Sequence, residues 1–244
     1  MPRKKVVFVI VEGPSDETAL GVILARHFNK DTVYTHVMHC DITTEFDKDT
    51  HQKVGSADIT KKIAEVVKRW ADSYHLKSEH FERIIHIVDT DGAFVTEDCI
   101  VQGDVKAPFY TLDKILCPVR ENIIERNDRK SKNLLRLSTT PTIWKVPYSA
   151  YYMSCNLDHV LYNKQNSNDK DKEADALNFA LRYRENVPDF INFISKSDFA
   201  YKLKSDLSLA ENYKESWKEI QVGCNSLERR TNFGMAFGGM LSFG

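Results

Sequence analysis

Short runs of mostly β-branched residues alternate with amphipathic segments in the first ninety residues. The runs lie at residues 5–11, 32–39 and 83–88, and the first and third are almost continuously apolar, as buried parallel strands are. The segments between them, 16–28 and 58–74, repeat apolar residues at helical spacing. This order of strand and helix predicts an α/β fold with a parallel sheet flanked by helices.

The remaining sequence is less regular. We predict loops at 41–55 and 163–173, an irregular connection at 92–118, and a helix at 119–137. A fourth strand is expected at 142–154, interrupted or confined to an edge by Pro147. Residues 174–221 are predicted to be mainly helical. The pattern therefore predicts an α/β domain at 1–160 and a smaller helical C-terminal region at 161–244.

Composition narrows the class of protein. The 244 residues include 34 basic and 35 acidic side chains, a net charge of -1, which argues against a polycation that coats nucleic acid but leaves room for a local basic groove. No apolar stretch approaches the roughly 20 residues of a membrane span, so no membrane partner is expected. The five cysteines are widely spaced and lack a Cys-x-x-Cys pair, which favours a reducing cytoplasm over a zinc or disulfide framework.

Acidic residues follow the predicted strands. Glu12 and Asp16 come after the first strand, and Asp89 and Asp91 come after the third. Because the carboxyl ends of parallel strands meet at one edge of a sheet, these carboxylates should converge there. Two further acids follow the second and fourth strands, Asp41 and Asp158.

Such a cluster has the chemistry of a magnesium site. Magnesium prefers oxygen ligands, and clustered anions are costly without a cation between them. Taken singly, each acid is equally well explained as a turn or helix-capping residue, and for Asp41 and Asp158 that interpretation is the better one. The combination of Glu12 with Asp89 and Asp91, at the ends of the two strongest strands, favours a functional site over a turn or capping role.

These residues carry a family resemblance. The segment Val11-Glu12-Gly13-x-x-Asp16-x-x-Ala19-Leu20, followed by Val88-Asp89-Thr90-Asp91-Gly92, resembles the Toprim domain of type IA and type II topoisomerases, bacterial primases, a ribosomal-RNA maturase and OLD-type nucleases. The resemblance covers residues 5–155 and implies a compact parallel sheet between helices. It also implies catalysis with magnesium or manganese, with Glu12 as metal ligand or general acid–base and with Asp89 and Asp91 as metal ligands.

Two further matches, the second of them looser, point to the nuclease branch of that family. Asp16 matches an extra acid found in that branch. The stretch Ser154-Cys155-Asn156-Leu157-Asp158 looks like the Ser-Asn-x-x-acid element of abortive-infection proteins of the RloB and AbiL types, which would make Asp158 a further metal ligand. The catalytic-tyrosine domain of a topoisomerase does not fit in this length. A primase zinc module and a Gly-x-x-x-x-Gly-Lys phosphate loop are absent from the sequence.

The resemblance therefore predicts a stand-alone Toprim protein that hydrolyses phosphodiesters of DNA or RNA as a metal-dependent endonuclease. By analogy with two-gene defence systems, it would act against phage together with a separate ATPase, and a homo-oligomer stays open. Two alternatives remain: a non-hydrolytic metal- or phosphate-binding regulatory module, and a ribonuclease that matures one structured RNA.

Basic residues are candidates for nucleic-acid contact. The helix predicted at 119–137 carries Arg129 and Lys130, which could hold a phosphate backbone, although a mixed-charge helix is more often a solvated face. Arg229 and Arg230 could bring positive charge to the site or belong to a surface turn.

Overall fold

The computed structural model describes residues 5–29, 33–40, 46–47, 52–53 and 58–238. Up to residue 89 the elements are β1 (Lys5–Val11), α1 (Pro14–Phe28), β2 (Val33–His39), β3 (Phe46–Asp47), β4 (Gln52–Lys53), α2 (Ile59–Ser73) and β5 (Phe81–Asp89). They are followed by β6 (Ile100–Gln102), β7 (Phe109–Tyr110), β8 (Ile115–Cys117), α3 (Arg120–Ser138), β9 (Thr142–Ile143) and β10 (Val146–Met153). The last helices are α4 (Leu157–Tyr162), α5 (Asp169–Tyr183), α6 (Val187–Lys196) and α7 (Leu209–Glu219), before a 3₁₀ helix at Phe233–Phe237.

The central sheet has the strand order β2-β1-β5-β10-β9. The first four strands run parallel, and only β9 pairs antiparallel, at the edge beside β10. From β1 the chain crosses through α1 to β2 on one side, then returns through α2 to β5 on the other. Because such crossovers are right-handed, α1 and α2 lie on opposite faces of the sheet. The predicted α/β fold with a mostly parallel, helix-flanked sheet is confirmed.

The middle of this sheet is buried on both faces. Residues 6–11 of β1 and 84–88 of β5 are buried without a break, which explains why their sequences are almost continuously apolar. α1 covers the sheet with Leu20, Ile23, Leu24 and Phe28, and α2 contributes Ile59, Ile63 and Val67. Both helical stripes match the predicted spacing.

Three predicted segments differ from the structure. The connection after residue 92 holds a second sheet, ordered β6-β8-β7, with a small apolar core of its own that includes Ile100, Ile115 and Leu227. The fourth strand breaks at Trp144 and Lys145, whose φ angles are 51° and 64°, and not at Pro147, which pairs with the edge strand β9. Short strands escape pattern analysis because two or three residues cannot display a period.

The polar loop also ends earlier than predicted. α5 begins at Asp169, where the Asn168 side chain accepts a hydrogen bond from the Asp171 backbone N–H, so the cap outweighs the polar composition. Of the predicted loop at 41–55, the described pieces β3 and β4 pair antiparallel. Asp41 lies outside the described residues.

C-terminal elements bind the backbone of β10 directly. The Tyr213 hydroxyl donates to the Ala150 carbonyl oxygen at 2.7 Å, and the Asn232 side-chain oxygen accepts from the Tyr152 N–H at 2.8 Å. α5 and α6 pack against α1. The division of the chain at residue 160 stays a prediction. Within the described residues, no helix is both long and apolar enough to span a membrane.

Candidate acidic active site

The acidic turns meet at the point where the sheet reverses its direction of winding. β1 and β5 are neighbours, and the chain leaves them toward opposite sides, so a crevice opens beyond their carboxyl ends. Glu12 follows β1, Asp89 ends β5, and the turn after β10 leads to Asp158 in the first turn of α4. The structure thus brings the carboxylates predicted from the sequence to one edge.

The Asp-x-Asp turn is held in an unusual backbone conformation. Asp91 and Gly92 have φ angles of 48° and 67°, in the left-handed region that favours glycine and tolerates aspartate. The Asp91 N–H donates to the Cys155 carbonyl oxygen at 2.7 Å, and the Arg126 guanidinium donates to the Asp91 carbonyl oxygen at 2.8 Å. The Thr90 hydroxyl donates to the Ser226 carbonyl oxygen at 2.8 Å. The turn is therefore fixed by three other parts of the chain.

Lys130 of α3 reaches into the centre of the acids. Its side chain is fully buried, its Nζ forms an ion pair and hydrogen bond with the Asp91 carboxylate, and it lies 3.5 Å from Glu12 Oε2. Burial by itself would lower the pKa of Lys130, but Asp91 and Glu12 outweigh it and hold that pKa above its usual value. Burial likewise opposes ionisation of Asp91, yet Lys130 and then Arg126 bring the Asp91 pKa below its ordinary range.

This ion pair reduces the need for a metal ion between the clustered acids. A cation is required between Glu12 and Asp91, but the protein supplies one from its own sequence. Lys130 also differs from the predicted exposed position, because a fully buried ammonium cannot grip an external phosphate backbone. The sequence carries a signal for this burial: Lys130 stands in the helical stripe Ile123, Asn127, Lys130, Leu134, Leu137, all of them buried.

Three other carboxyls are not neutralised in this way. Asp16, Asp89 and Asp158 line a cavity of about 210 Å³ together with Glu12. Burial, then the charges of Glu12 and Asp16, raise the pKa of Asp89 well above its usual range. Burial and the nearby Asp158 raise the pKa of Asp16 to about 6, against the hydrogen bond that its Oδ2 accepts from the Gly13 N–H at 2.8 Å. Burial also raises the pKa of Asp158. In this half of the site, burial and the neighbouring charges favour the protonated forms of the carboxyls.

The donor set fits a hard divalent cation in its chemistry. The carboxyl groups of Asp16, Asp89 and Asp158 face one small cavity, and burial raises their pKa values. A bound divalent cation would offset this effect by favouring their ionised forms. Across the described ranges, however, no three His, Cys, Asp or Glu residues are arranged as a preformed ligand group. Asp16 also caps α1 through Gly13, so the capping role weighed from the sequence is present as well.

The other predicted basic residues have partners outside the acidic cavity. Arg229 donates to the Val160 carbonyl oxygen at 2.7 Å and stacks over Phe199 at 4.1 Å. Arg230 binds Glu228 and Glu219, and Arg129 lies 3.9 Å from Glu125. None of the three lines the acidic cavity, and delivery of charge by Arg229 or Arg230 stays a prediction.

Two residues that were not among the predicted site residues also line it. Lys172, in the first turn of α5, and Asn156, the N-cap of α4, border the acidic cavity and also an adjoining cavity of about 550 Å³. The Lys172 ammonium makes no ion pair within the described part of the chain, although its charge acts on Asp16, Asp91 and Asp158. Lys172 lies in a polar, charged stretch of the sequence without a helical or strand period, so the sequence did not predict its position at the cavity.

Comparison of the chain with models of protein families, with curated proteins and with solved structures finds no match in any of the three.

Proposed function

We propose that this protein is a metal-dependent hydrolase of nucleic-acid phosphodiesters, of the stand-alone Toprim type. One observation carries the proposal: Glu12, Asp16, Asp89 and Asp158 converge from three adjacent parallel strands on one cavity, and burial raises the pKa of the last three, with repulsion from cluster acids adding to it at Asp16 and Asp89. Buried carboxyls with strongly perturbed pKa values are costly to ionise, and a functional role is a common reason for such a cluster.

Magnesium or manganese would be held by Glu12, Asp16, Asp89 and Asp158. When bound, such a cation activates water and stabilises the charge of a leaving oxygen. Its arrival would displace protons from Asp89 and Asp16, because the ionised forms become favourable next to a positive charge.

Lys130 and Lys172 would have different roles in this site. Lys130 keeps Asp91 ionised and forms ion pairs with both Asp91 and Glu12. Both carboxylates would therefore have defined positions before substrate binds. Lys172 at the mouth of the cavity is placed to contact a phosphate oxygen, since its ammonium has no ion-pair partner of its own in the described chain.

Cleavage assays test the proposal. Purified protein is incubated with plasmid DNA and with total RNA, in magnesium, in manganese and in EDTA. We expect cleavage only with a divalent cation, and a loss of at least about a hundredfold in rate for Asp89→Asn, about 2.7 kcal/mol of barrier. The matched control is Asp98→Asn, an exposed aspartate in the turn before β6, which should cleave like the wild type.

The proposed partner is a separate ATPase, and the proposed setting is defence against phage. Support for both is the resemblance of the Glu12 and Asp89-x-Asp91 motifs alone. The same assay is therefore repeated with the product of any adjacent ATPase gene. No cleavage of DNA or RNA in either form of the assay would contradict the nuclease, and one defined cut in a structured RNA would favour an RNA-maturing enzyme instead.

A second candidate is a non-hydrolytic module that binds metal or phosphate. The observation in its favour is the ion pairing of Lys130 with two of the three motif acids, Glu12 and Asp91, which places a cation between them without a metal. Titration calorimetry with magnesium and with manganese separates the two candidates when interpreted beside the cleavage assays. Binding that never leads to cleavage supports the module.

A further inference from the structure

A second cavity of about 550 Å³ opens directly beside the acids. The two cavities share Asp89, Asn156 and Lys172 in their walls. The volume lies within the range of roughly 300–1,000 Å³ that small-molecule sites occupy. Whatever fills this cavity therefore lies next to the cluster that we propose as the reacting centre.

Hydrogen bonds hold the walls of this cavity in place. Asn166 clasps the backbone of Tyr110 from both sides, accepting from its N–H at 2.9 Å and donating to its carbonyl oxygen at 2.8 Å. Gln165 donates to the Thr111 carbonyl oxygen at 3.1 Å, and Asn156 donates to the Gln165 carbonyl oxygen at 2.8 Å. The strand β7 and the turn before α5 are thus joined across the cavity, which makes it a preformed feature.

The same wall presents an aromatic face to solvent. Phe109 is 46% exposed and lines the cavity, and the neighbouring Tyr110 is fixed by the Arg126 guanidinium, which donates to its hydroxyl at 2.8 Å. An exposed phenylalanine on a short strand adds nothing to the core, but it offers a platform for a flat ring. Stacking of a nucleobase on such a ring is worth about tenfold in affinity or more and does not depend on base identity.

The charge of Lys172 would fix the orientation of a nucleotide across the two cavities. Lys172 stands at their junction, so a phosphate beside it places one side of a nucleotide toward the acids and the other toward Phe109. A base inside a duplex is stacked on both faces and cannot lie on Phe109 unless it leaves the helix. Single-stranded or unpaired nucleotides meet this requirement without that cost.

We propose that the 550 Å³ cavity is a subsite for one unpaired nucleotide, with its base on Phe109 and its phosphate at Lys172, so that the substrate is single-stranded or locally unpaired nucleic acid. This inference rests on the proposed function, because it assigns the substrate class of the same site.

Binding measured apart from cleavage tests the subsite. Fluorescence anisotropy follows labelled oligo-dT and oligo-U strands and a dA·dT duplex of equal length, with calcium in place of magnesium, and a gel checks that the strands stay intact. We expect single strands to bind at least about tenfold more tightly than duplex. Phe109→Leu, which keeps apolar bulk without the aromatic face, should lose about tenfold on single strands only, and Lys172→Met should weaken both.

Tyr74→Leu is the matched control, because Tyr74 is an exposed aromatic residue that lines neither cavity. Equal or tighter binding of duplex, unchanged binding by Phe109→Leu, or no binding of any strand would each overturn the subsite. Failure of the nuclease looks different: single strands bind in a Phe109-dependent way, but no substrate is cut in magnesium or manganese. Thermal unfolding of each variant confirms that it is folded.

Discussion

Lys130 is the residue whose position most changes the interpretation of the site. A lysine on a basic helix looks solvated in the sequence, yet here its ammonium is fully buried between Glu12 and Asp91. Buried ion pairs add little net stability when intact, but removing one partner leaves an uncompensated charge in a medium of low dielectric constant. Lys130 is therefore a residue on which both the fold and the site depend.

Lys130→Met should destabilise the protein by about 3–5 kcal/mol, because two carboxylates lose the buried cation that lies between them. Urea unfolding followed by circular dichroism gives the free energy of unfolding. Lys132→Met is the control: its ion pair with Asp128 is exposed, and we expect a change within about 0.5 kcal/mol. A loss below about 1 kcal/mol for Lys130→Met would contradict the buried pair.

Asp16 predicts a dependence of stability on pH. Its folded-state pKa of about 6 exceeds the ordinary 3.8, so the folded state holds this proton more tightly than the unfolded state does. Its contribution is greatest below pH 4 and is lost as the pH rises toward 6. The loss is at most about 3 kcal/mol, because a tenfold difference in proton affinity between the two states corresponds to about 1.36 kcal/mol.

Asp16→Asn should therefore be more stable than the wild type by about 1–3 kcal/mol at pH 8 in EDTA, and by much less at pH 4. Urea unfolding at both pH values measures the difference, with Asp98→Asn as an exposed control. If Asp16→Asn were less stable than the wild type at pH 8, the cap to Gly13 would outweigh the buried charge. Bound magnesium should shrink the advantage of Asn, since it favours the ionised carboxyl.

The turn that follows β5 is the element that positions Asp91 in the candidate site. Its two residues with positive φ, Asp91 and Gly92, let the chain reverse while the Asp91 backbone still pairs with Cys155. Around it pack α3 from one direction and the turn at Ser226 and Leu227 from another. Short turn motifs of this kind depend on elements distant in sequence for their shape.

Gly92→Ala should distort this turn. A Cβ there would lie 2.6 Å from Leu227 Cδ2 and 3.0 Å from Ile115 Cδ1, and the φ of 67° adds about 1–2 kcal/mol of strain for any side chain. We expect a loss of stability of at least about 1–2 kcal/mol and slower cleavage, since Asp91 moves with the turn. Gly103→Ala, with no atom within 4 Å of its Cβ, should leave both properties unchanged. Equal stability of the two variants would argue against this turn geometry.

In the whole molecule, the C-terminal elements complete the sheet that bears the site. Tyr213 and Asn232 satisfy backbone groups of Ala150 and Tyr152, and Phe233 is buried against Tyr151. Buried backbone groups left without partners cost free energy comparable to a lost hydrogen bond. The sheet and the C-terminal elements thus share one core.

A fragment that ends at residue 160 should therefore fail to fold as the full chain does. It exposes the backbone of β10 and the apolar surface that α5, α6 and α7 cover. Near-ultraviolet circular dichroism and calorimetry should show one cooperative transition for the full chain and none for the fragment. Cooperative unfolding of the fragment with native-like aromatic signals would contradict this expectation and support an independent N-terminal domain.

The sequence by itself determined the order of the main strands and helices and the position of Glu12, Asp16, Asp89 and Asp91 after buried strands. These features follow from local causes: apolar runs form buried strands, stripes of helical period form helices, and acidic and glycine residues mark turns. The parallel sheet follows from them because helical crossovers between strands allow little else. The substrate class, the metal and the partner were hypotheses from motif resemblance, and they stay predictions.

Only the tertiary structure decided which charges meet. Lys130 lies 39 residues from Asp91 and 118 from Glu12 in sequence, and α3 brings it to both. The second sheet and the clasp of Asn166 on Tyr110 build a cavity from segments that show no periodic pattern. Electrostatic interactions depend on distance in space and on exposure to solvent, and neither quantity follows from separation along the chain. For this reason the sequence predicted the acids, but not the lysine that pairs with two of them or the cavity beside them.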